Sequence, residues 1–124
     1  MNFSIRLGLP EMDEMWRDMS ERNAKGELGG DEKKRYKKIG KAMHLLSGNP
    51  RHPGLQTHEI EALSKKYGFK VYQSYLENNT PSAGRMFWAY GPKQKEITVL
   101  GVEPHPEDEK KGAYARVKLS RKPD

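Results

Sequence analysis

The spacing of apolar residues in the first third of the chain predicts two helices. In the first, apolar side chains recur at intervals of three and four residues, as on one buried helical face: Met12, Met15, Trp16 and Met19. Pro10 suits its first turn, and the segment 24–30 (AKGELGG) ends it. Asp31 suits the N-cap of a second, strongly basic helix. Its apolar stripe consists of Tyr36, Ile39, Met43 and Leu46, and SGNP at 47–50 ends it.

From residue 51 onward, short runs rich in β-branched and aromatic residues predict strands. The segment RHPGLQTHEI gives a turn and a short extended run, and EALSKKYG gives a brief helix ending at Gly68. Three strands are predicted at 70–76 (KVYQSYL), 85–90 (RMFWAY) and 96–102 (EITVLGV). The linker GPKQK between the last two is typical of a hairpin loop. FSIRLGL (3–9) and YARVKLS (114–120) alternate in polarity and predict edge strands.

This order of elements predicts the α+β class, with two N-terminal helices packed on one face of an antiparallel β-sheet. The chain has 124 residues, of which 34% are hydrophobic, so we expect one domain spanning 1–124. A single helical layer would leave the opposite sheet face open, and we expect the function there. The pattern does not establish which strand residues point to that face, because some strands are apolar on both faces.

The composition favours a polyanionic partner. The formal net charge is +6, and 32% of the residues are charged. There is no cysteine, which excludes disulfides, thiolate chemistry and cysteine-ligated zinc. No segment resembles a signal peptide or approaches the roughly 18 apolar residues of a membrane span. We therefore expect a cytoplasmic protein with no membrane partner.

The four histidines offer proton-transfer chemistry rather than a metal site. No pair has the spacing of a helical zinc site and no carboxylate cluster accompanies them, so we expect no metal and no cofactor. His44 suits a dipole contact at a helix end, and His52 a solvated turn. His58 and His105 each end or interrupt an extended segment near a glutamate, and either could be a general acid or base. Pro104 and Pro106 bracket His105, which equally suits the end of an edge strand.

Other polar residues could complete a site for RNA cleavage. Arg85 could hold a phosphate with two hydrogen bonds, or pair with a carboxylate at a sheet edge. Tyr114 could donate a hydrogen bond or stack on a base, or pack within a strand. One of Tyr72, Trp88 and Tyr90 could be a stacking platform, although such residues are mostly core. A base, a phosphate clamp and an acid suffice for attack by the ribose 2′-OH.

The chain resembles the RelE/ParE toxin superfamily of bacterial type II toxin–antitoxin modules, on its RelE-like branch. The resemblance covers most of the chain. It is carried by the two helices and by SGNPRHPGLQTH, KVYQSYL, GRMFWAYGPKQKEITVLGV and the final His and Tyr. NPRHPGLQTH and EPHPED give a closer likeness to one toxin-like branch of the superfamily. The resemblance implies a compact α+β fold and a cognate antitoxin that blocks the site. It also implies mRNA cleavage in the ribosomal A site without a metal.

Transferred position by position, the resemblance implies roles for individual residues. Arg85 matches the strand arginine that contacts phosphate, and His105 falls near a position held by arginine or histidine. Tyr114 is the nearest candidate for a C-terminal tyrosine, and Lys65, Lys66 or Lys70 could stand in for upstream RNA-binding residues. His58 has no counterpart in this transfer, and its assisting role rests on the chemistry of histidine alone. The acidic segment PEDEKKG separates His105 from Tyr114 by more residues than is usual in the family.

The resemblance therefore predicts an mRNA interferase, a metal-independent endoribonuclease that inhibits translation. The ParE side of the superfamily inhibits DNA gyrase and lacks the nuclease residues, so a non-catalytic binding protein, either a gyrase inhibitor or a regulatory partner of the antitoxin, remains an alternative. A third hypothesis is a structural or adaptor protein whose basic second helix binds nucleic acid without chemistry.

Overall fold

The computed structural model describes residues 2–76, 84–103 and 118–123, and three helices and five strands lie in these ranges. The helices are α1 (Glu11–Ala24), α2 (Gly30–Gly48) and α3 (Glu61–Tyr67). The strands are β1 (Ser4–Leu7), β2 (His58–Glu59), β3 (Tyr72–Tyr75), β4 (Arg85–Tyr90) and β5 (Glu96–Glu103), and a 3-10 turn spans Pro53–Leu55. The α+β class is confirmed. Gly29, rather than Asp31, occupies the N-cap of α2.

The five strands form one open sheet in the order β1-β5-β4-β3-β2. Strands β2 to β5 each pair antiparallel with the next strand along the chain; α3 lies between β2 and β3, and a short loop joins β4 to β5. Strand β1 pairs parallel with β5, from Ser4 opposite Glu96 to Leu7 opposite Val99. The sheet is therefore mixed rather than wholly antiparallel, because β1 lies at the edge beside β5 and runs parallel to it.

The two predicted edge strands have different outcomes. The prediction for 3–9 is confirmed by β1, which lies at one edge of the sheet. In the predicted strand at 114–120, residues 114–117 lie outside the described residues, and 118–120 form no strand. Instead, Arg121 forms an isolated antiparallel bridge with Leu9.

Helices α1 and α2 run in opposite directions and pack on one face of the sheet. The end of α1 meets the start of α2 through Arg22 and Glu32, while further along Trp16 stacks on Tyr36 at 4.7 Å between ring centroids. Their buried faces share a core cluster with alternate residues of the two central strands: Met86, Trp88, Ile97 and Val99. The predicted pair of N-terminal helices is thus present and packs on one face of the sheet, as expected.

The opposite sheet face is covered over its central part, which corrects the expectation of an open face. Leu63 of α3 lies in a second core cluster with Phe87, Ala89 and Leu100, and Leu119 packs against it. The cover is needed because β4 and β5 carry apolar side chains on both faces, and an apolar face left in water loses its burial energy. Any site on this face must lie beyond the edge of α3.

Candidate functional site

Polar side chains line the α3-facing side of the sheet towards the start of β4. Arg85 lies opposite Tyr75 of β3 and opposite Glu103 of β5, and Gln73 lies opposite His58 of β2. Directly opposed residues of antiparallel strands point to the same face. Alternation along β4 places Arg85 on the face of Phe87 and Ala89, which α3 covers. We call these five residues, His58, Gln73, Tyr75, Arg85 and Glu103, the polar row.

Arg85 is held against β3 within the polar row. Only 7% of its surface is exposed. Its Nη1 donates a long hydrogen bond of 3.5 Å to Gln73 Oε1, and its guanidinium carbon lies 5.7 Å from the centre of the Tyr75 ring. This distance suits a cation–π contact. A phosphate could reach this guanidinium only if the side chain turned away from Tyr75 and Gln73.

His58 shares the sheet face of Arg85, with one strand between their own strands. Neighbouring strands are about 4.8 Å apart, so β2 and β4 are roughly 10 Å apart. The imidazole is exposed, and its Nδ1 lies 3.2 Å from the carbonyl oxygen of Gln56. Because a carbonyl can only accept, this contact requires the proton on Nδ1 and leaves Nε2 to accept one. In this contact the neutral ring keeps Nε2 as a hydrogen-bond acceptor, the form that a general base needs.

The predicted RNA-binding lysines lie towards the other end of β3. Lys65 and Lys66 are exposed in the last turn of α3, where Lys65 pairs with Glu61 at 3.3 Å and Lys66 lies over the Tyr67 ring. Lys70 is exposed and precedes β3, five residues before Tyr75. An extended chain rises about 3.3 Å per residue, so Lys70 is roughly 16 Å from the level of Arg85. The fold therefore does not bring Lys70 beside Arg85.

His105 and Tyr114, the two remaining predicted site residues, lie outside the described residues. In the sequence, His105 comes two residues after Glu103, the β5 residue opposite Arg85. The roles predicted for His105 and Tyr114 stay predictions.

His52 was overlooked in the sequence, where it suited a solvated turn. Its ring is half-buried, and Nδ1 accepts a 3.0 Å hydrogen bond from the backbone N–H of Gly54. With Lys41 and Tyr75 it lines a cleft of about 200 Å³. The signal in the sequence was the succession Asn-Pro-Arg-His-Pro-Gly, in which two prolines and a glycine restrict how the histidine can point.

The described ranges hold no group of three or more His, Asp or Glu side chains arranged to bind a metal ion. None of the helices within those ranges combines the length and apolar composition that a membrane crossing needs. Comparisons with protein families, with curated proteins and with solved structures find no match to the chain. The function therefore has to be argued from the side chains themselves.

Proposed function

We propose that the protein is the toxin of a type II toxin–antitoxin module and cleaves mRNA at the ribosome as a metal-independent endoribonuclease. The observation that carries the proposal is the placement of Arg85 and His58 on one sheet face, with Glu103, two residues before His105, opposite Arg85. The pair of N-terminal helices on one sheet face also suits the RelE-like resemblance. The net charge of +6 favours a polyanionic substrate.

The reaction is internal attack by the ribose 2′-OH. One histidine removes the 2′ proton, the 2′ oxygen bonds to phosphorus, and the 5′ oxygen leaves with a proton from a second group. The products are a 2′,3′-cyclic phosphate and a 5′-hydroxyl end. His105 acts as base or acid, and His58 and Tyr114 assist. Arg85 turns towards the scissile phosphate and stabilises its charge in the transition state.

A cognate antitoxin completes the module. It covers the polar row and so prevents access of RNA to Arg85. The positive charge of the toxin favours an antitoxin with an acidic contact surface. Both act in the cytoplasm, where the ribosome is.

A second candidate function is a non-catalytic inhibitor of the ParE type or a nucleic-acid-binding protein. The low exposure of Arg85 and its contacts with Gln73 and Tyr75 favour it, since they suit an arginine that stabilises the sheet. In this case the basic surface binds a partner and no bond is cut.

Induced expression followed by mapping of mRNA 5′ ends separates the two functions. The nuclease predicts new 5′-hydroxyl ends within translated frames and rapid arrest of protein synthesis. A gyrase inhibitor predicts DNA damage and stalled replication while mRNA stays intact. Intact mRNA in arrested cells would overturn the nuclease proposal.

A further inference from the structure

The segment that joins α2 to β2, residues 49–57, is held against the sheet by hydrogen bonds and one buried side chain, and we call it the platform. Within it, Asn49 accepts a hydrogen bond from the Arg51 N–H through its side chain, and Leu55 is fully buried. Thr57 Oγ1 donates to the Pro50 carbonyl at 2.9 Å and lies 2.7 Å from Ser74 Oγ in β3. These contacts join the platform to β3 and link its two ends to each other.

This platform holds His52 in one tautomer. Because Nδ1 accepts the proton of Gly54 N–H, the neutral ring carries its own proton on Nε2. Nε2 is therefore a hydrogen-bond donor. A donor fixed by the backbone in this way is prepared for an acceptor such as a phosphate oxygen.

His52 lines a small cleft between α2, the platform and the end of β3. Lys41 and Tyr75 also line it, and Leu45 and Leu55 supply apolar wall. None of the described lining residues is acidic. The volume of about 200 Å³ is below that of ordinary small-molecule pockets, roughly 300–1,000 Å³, and suits a single anionic group with its neighbouring atoms.

A stripe of lysines on α2 leads to this cleft. Lys34, Lys37 and Lys41 are exposed, and their spacing of three and four residues puts them along one side of the helix. Leu45, four residues after Lys41, lines the cleft, so the stripe ends there. Among the described residues, no carboxylate pairs with these three lysines. The stripe offers a row of positive charges to a linear polyanion.

We propose that Lys34, Lys37 and Lys41 form a track for the backbone of single-stranded RNA, and that the His52 cleft holds one of its phosphates. The identification of the polyanion as RNA rests on the proposed function. We take the RNA to be single-stranded because the substrate of the proposed function, mRNA in the ribosome, is single-stranded where it is read. The cleft and the polar row lie on opposite faces of the sheet and meet at the end of β3, where Tyr75 both lines the cleft and contacts the Arg85 guanidinium.

The test measures binding without cleavage. A fluorescein-labelled 12-nucleotide 2′-O-methyl RNA cannot be cut by internal attack, and its anisotropy reports binding over a series of salt concentrations. The variant His52→Asn removes Nε2 but keeps a side-chain acceptor for the Gly54 N–H, as in an Asx turn. The triple variant K34Q/K37Q/K41Q removes the track, and K25Q/K93Q/K95Q removes equal charge from exposed positions elsewhere.

We expect K34Q/K37Q/K41Q to make the slope of log affinity against log salt shallower by about 2, since each phosphate contact contributes about 0.7 in single strands. His52→Asn should weaken binding by about tenfold through loss of a hydrogen bond to a charged group. The matched control is K25Q/K93Q/K95Q, with an unchanged slope. Melting temperatures of His52→Asn and wild type should agree, whereas His52→Ala should melt lower.

Several outcomes would overturn the track. These are no binding by the wild type, equal loss from the two triple variants, or an unchanged affinity in His52→Asn. If an RNA duplex bound as tightly as the single strand, the ligand would not be specifically single-stranded. If poly-L-glutamate of matched charge competed as strongly as RNA, the site would not be specific for RNA. Cleavage of unmodified mRNA is measured separately. If the wild type cleaved no mRNA while the variants lost binding as expected, the nuclease proposal would be refuted and the RNA track would still be supported.

Discussion

The indole Nε1 of Trp88 donates a 2.9 Å hydrogen bond to the hydroxyl oxygen of Ser74, and both residues are almost fully buried. Since the Thr57 hydroxyl gives its proton to the Pro50 carbonyl, the Ser74 hydroxyl must donate to Thr57. A directed chain of three hydrogen bonds therefore runs from the core of the sheet to the platform that carries His52.

Ser74→Ala should destabilise the protein by about 1–3 kcal/mol, because it leaves the buried Trp88 N–H without its acceptor. Denaturation in urea monitored by tryptophan fluorescence measures the change. Ser47→Ala is the control: its hydroxyl donates to the carbonyl of His44 in the same helix, and we expect a change within about 0.5 kcal/mol. Equal stability of the two variants would mean that the three linked hydrogen bonds contribute nothing to the free energy of unfolding.

His105→Ala should lower the rate of mRNA cleavage by roughly 10²–10⁴-fold, the usual contribution of a general acid or base. The rate is measured on purified ribosomes with a defined mRNA. Gln94→Ala, at an exposed position between β4 and β5, should cleave like the wild type. If His105→Ala cleaves as fast as the wild type, the role assigned to His105 is wrong.

Arg85→Lys should lower cleavage by about 10²-fold, because lysine keeps the charge but loses the planar pair of donors that a phosphate prefers. The same assay measures it, alongside the melting temperature. Arg17→Lys, on the exposed side of α1, should leave the rate unchanged. A loss of stability with full cleavage activity would instead identify Arg85 as a structural arginine of the sheet.

Gly8→Ala should destabilise the protein by about 1–3 kcal/mol through overpacking. A Cβ atom at this position would lie 2.6 Å from Ser120 Cβ and 3.2 Å from two carbonyl oxygens, of Val99 and Arg121. Gly48→Ala is the control, since its Cβ would meet nothing within 4 Å. Equal urea midpoints for the two alanine variants would contradict this packing.

The contribution of Glu32 to stability should vanish in acid. Arg22 donates to both oxygens of Glu32, at 2.9 and 2.7 Å, which lowers the pKa of Glu32 below its ordinary 4.5 and raises that of Arg22. A lowered folded-state pKa stabilises the protein above the unfolded-state pKa and ceases to do so as the pH falls through the folded-state value. At pH 7, Glu32→Gln should thus have a slightly lower melting temperature than the wild type. At a pH below the folded-state pKa of Glu32, the two melting temperatures should be equal.

The control for this titration is Glu27→Gln, a charge removal at an exposed position between the same two helices. It should show no comparable pH-dependent difference from the wild type. A Glu32→Gln difference that persists in strong acid would assign the effect to something other than the ion pair.

Local pattern predicted the local elements well. The three-and-four spacing of α1 and α2, the αL end of α3 at Gly68 and the hairpin loop after Tyr90 all depend on neighbouring residues, and each is present. The parallel docking of β1 on β5 and the cover of the second face by α3 depend on partners far along the chain. Amphipathic runs do not encode such partners.

The candidate site shows the same division. Arg85 was found because it begins a strand, but its burial depends on side chains from β3, including Tyr75. His52 suited a solvated turn because the sequence shows neither the Gly54 contact nor the approach of Lys41. Hydrogen-bond geometry gives these residues their chemical character, and residue type alone does not.

The contacts of the residues just past β1 have a consequence for the order of assembly. Gly8 donates to Val99, Leu9 exchanges two backbone hydrogen bonds with Arg121, and the Met12 N–H donates to the Ser120 hydroxyl. Contacts at such sequence separations form slowly and require the distant segment to have been synthesised. During translation, β1 cannot pair until β5 has been synthesised, and Leu9 and Met12 gain their contacts with Arg121 and Ser120 only after those two residues have been added.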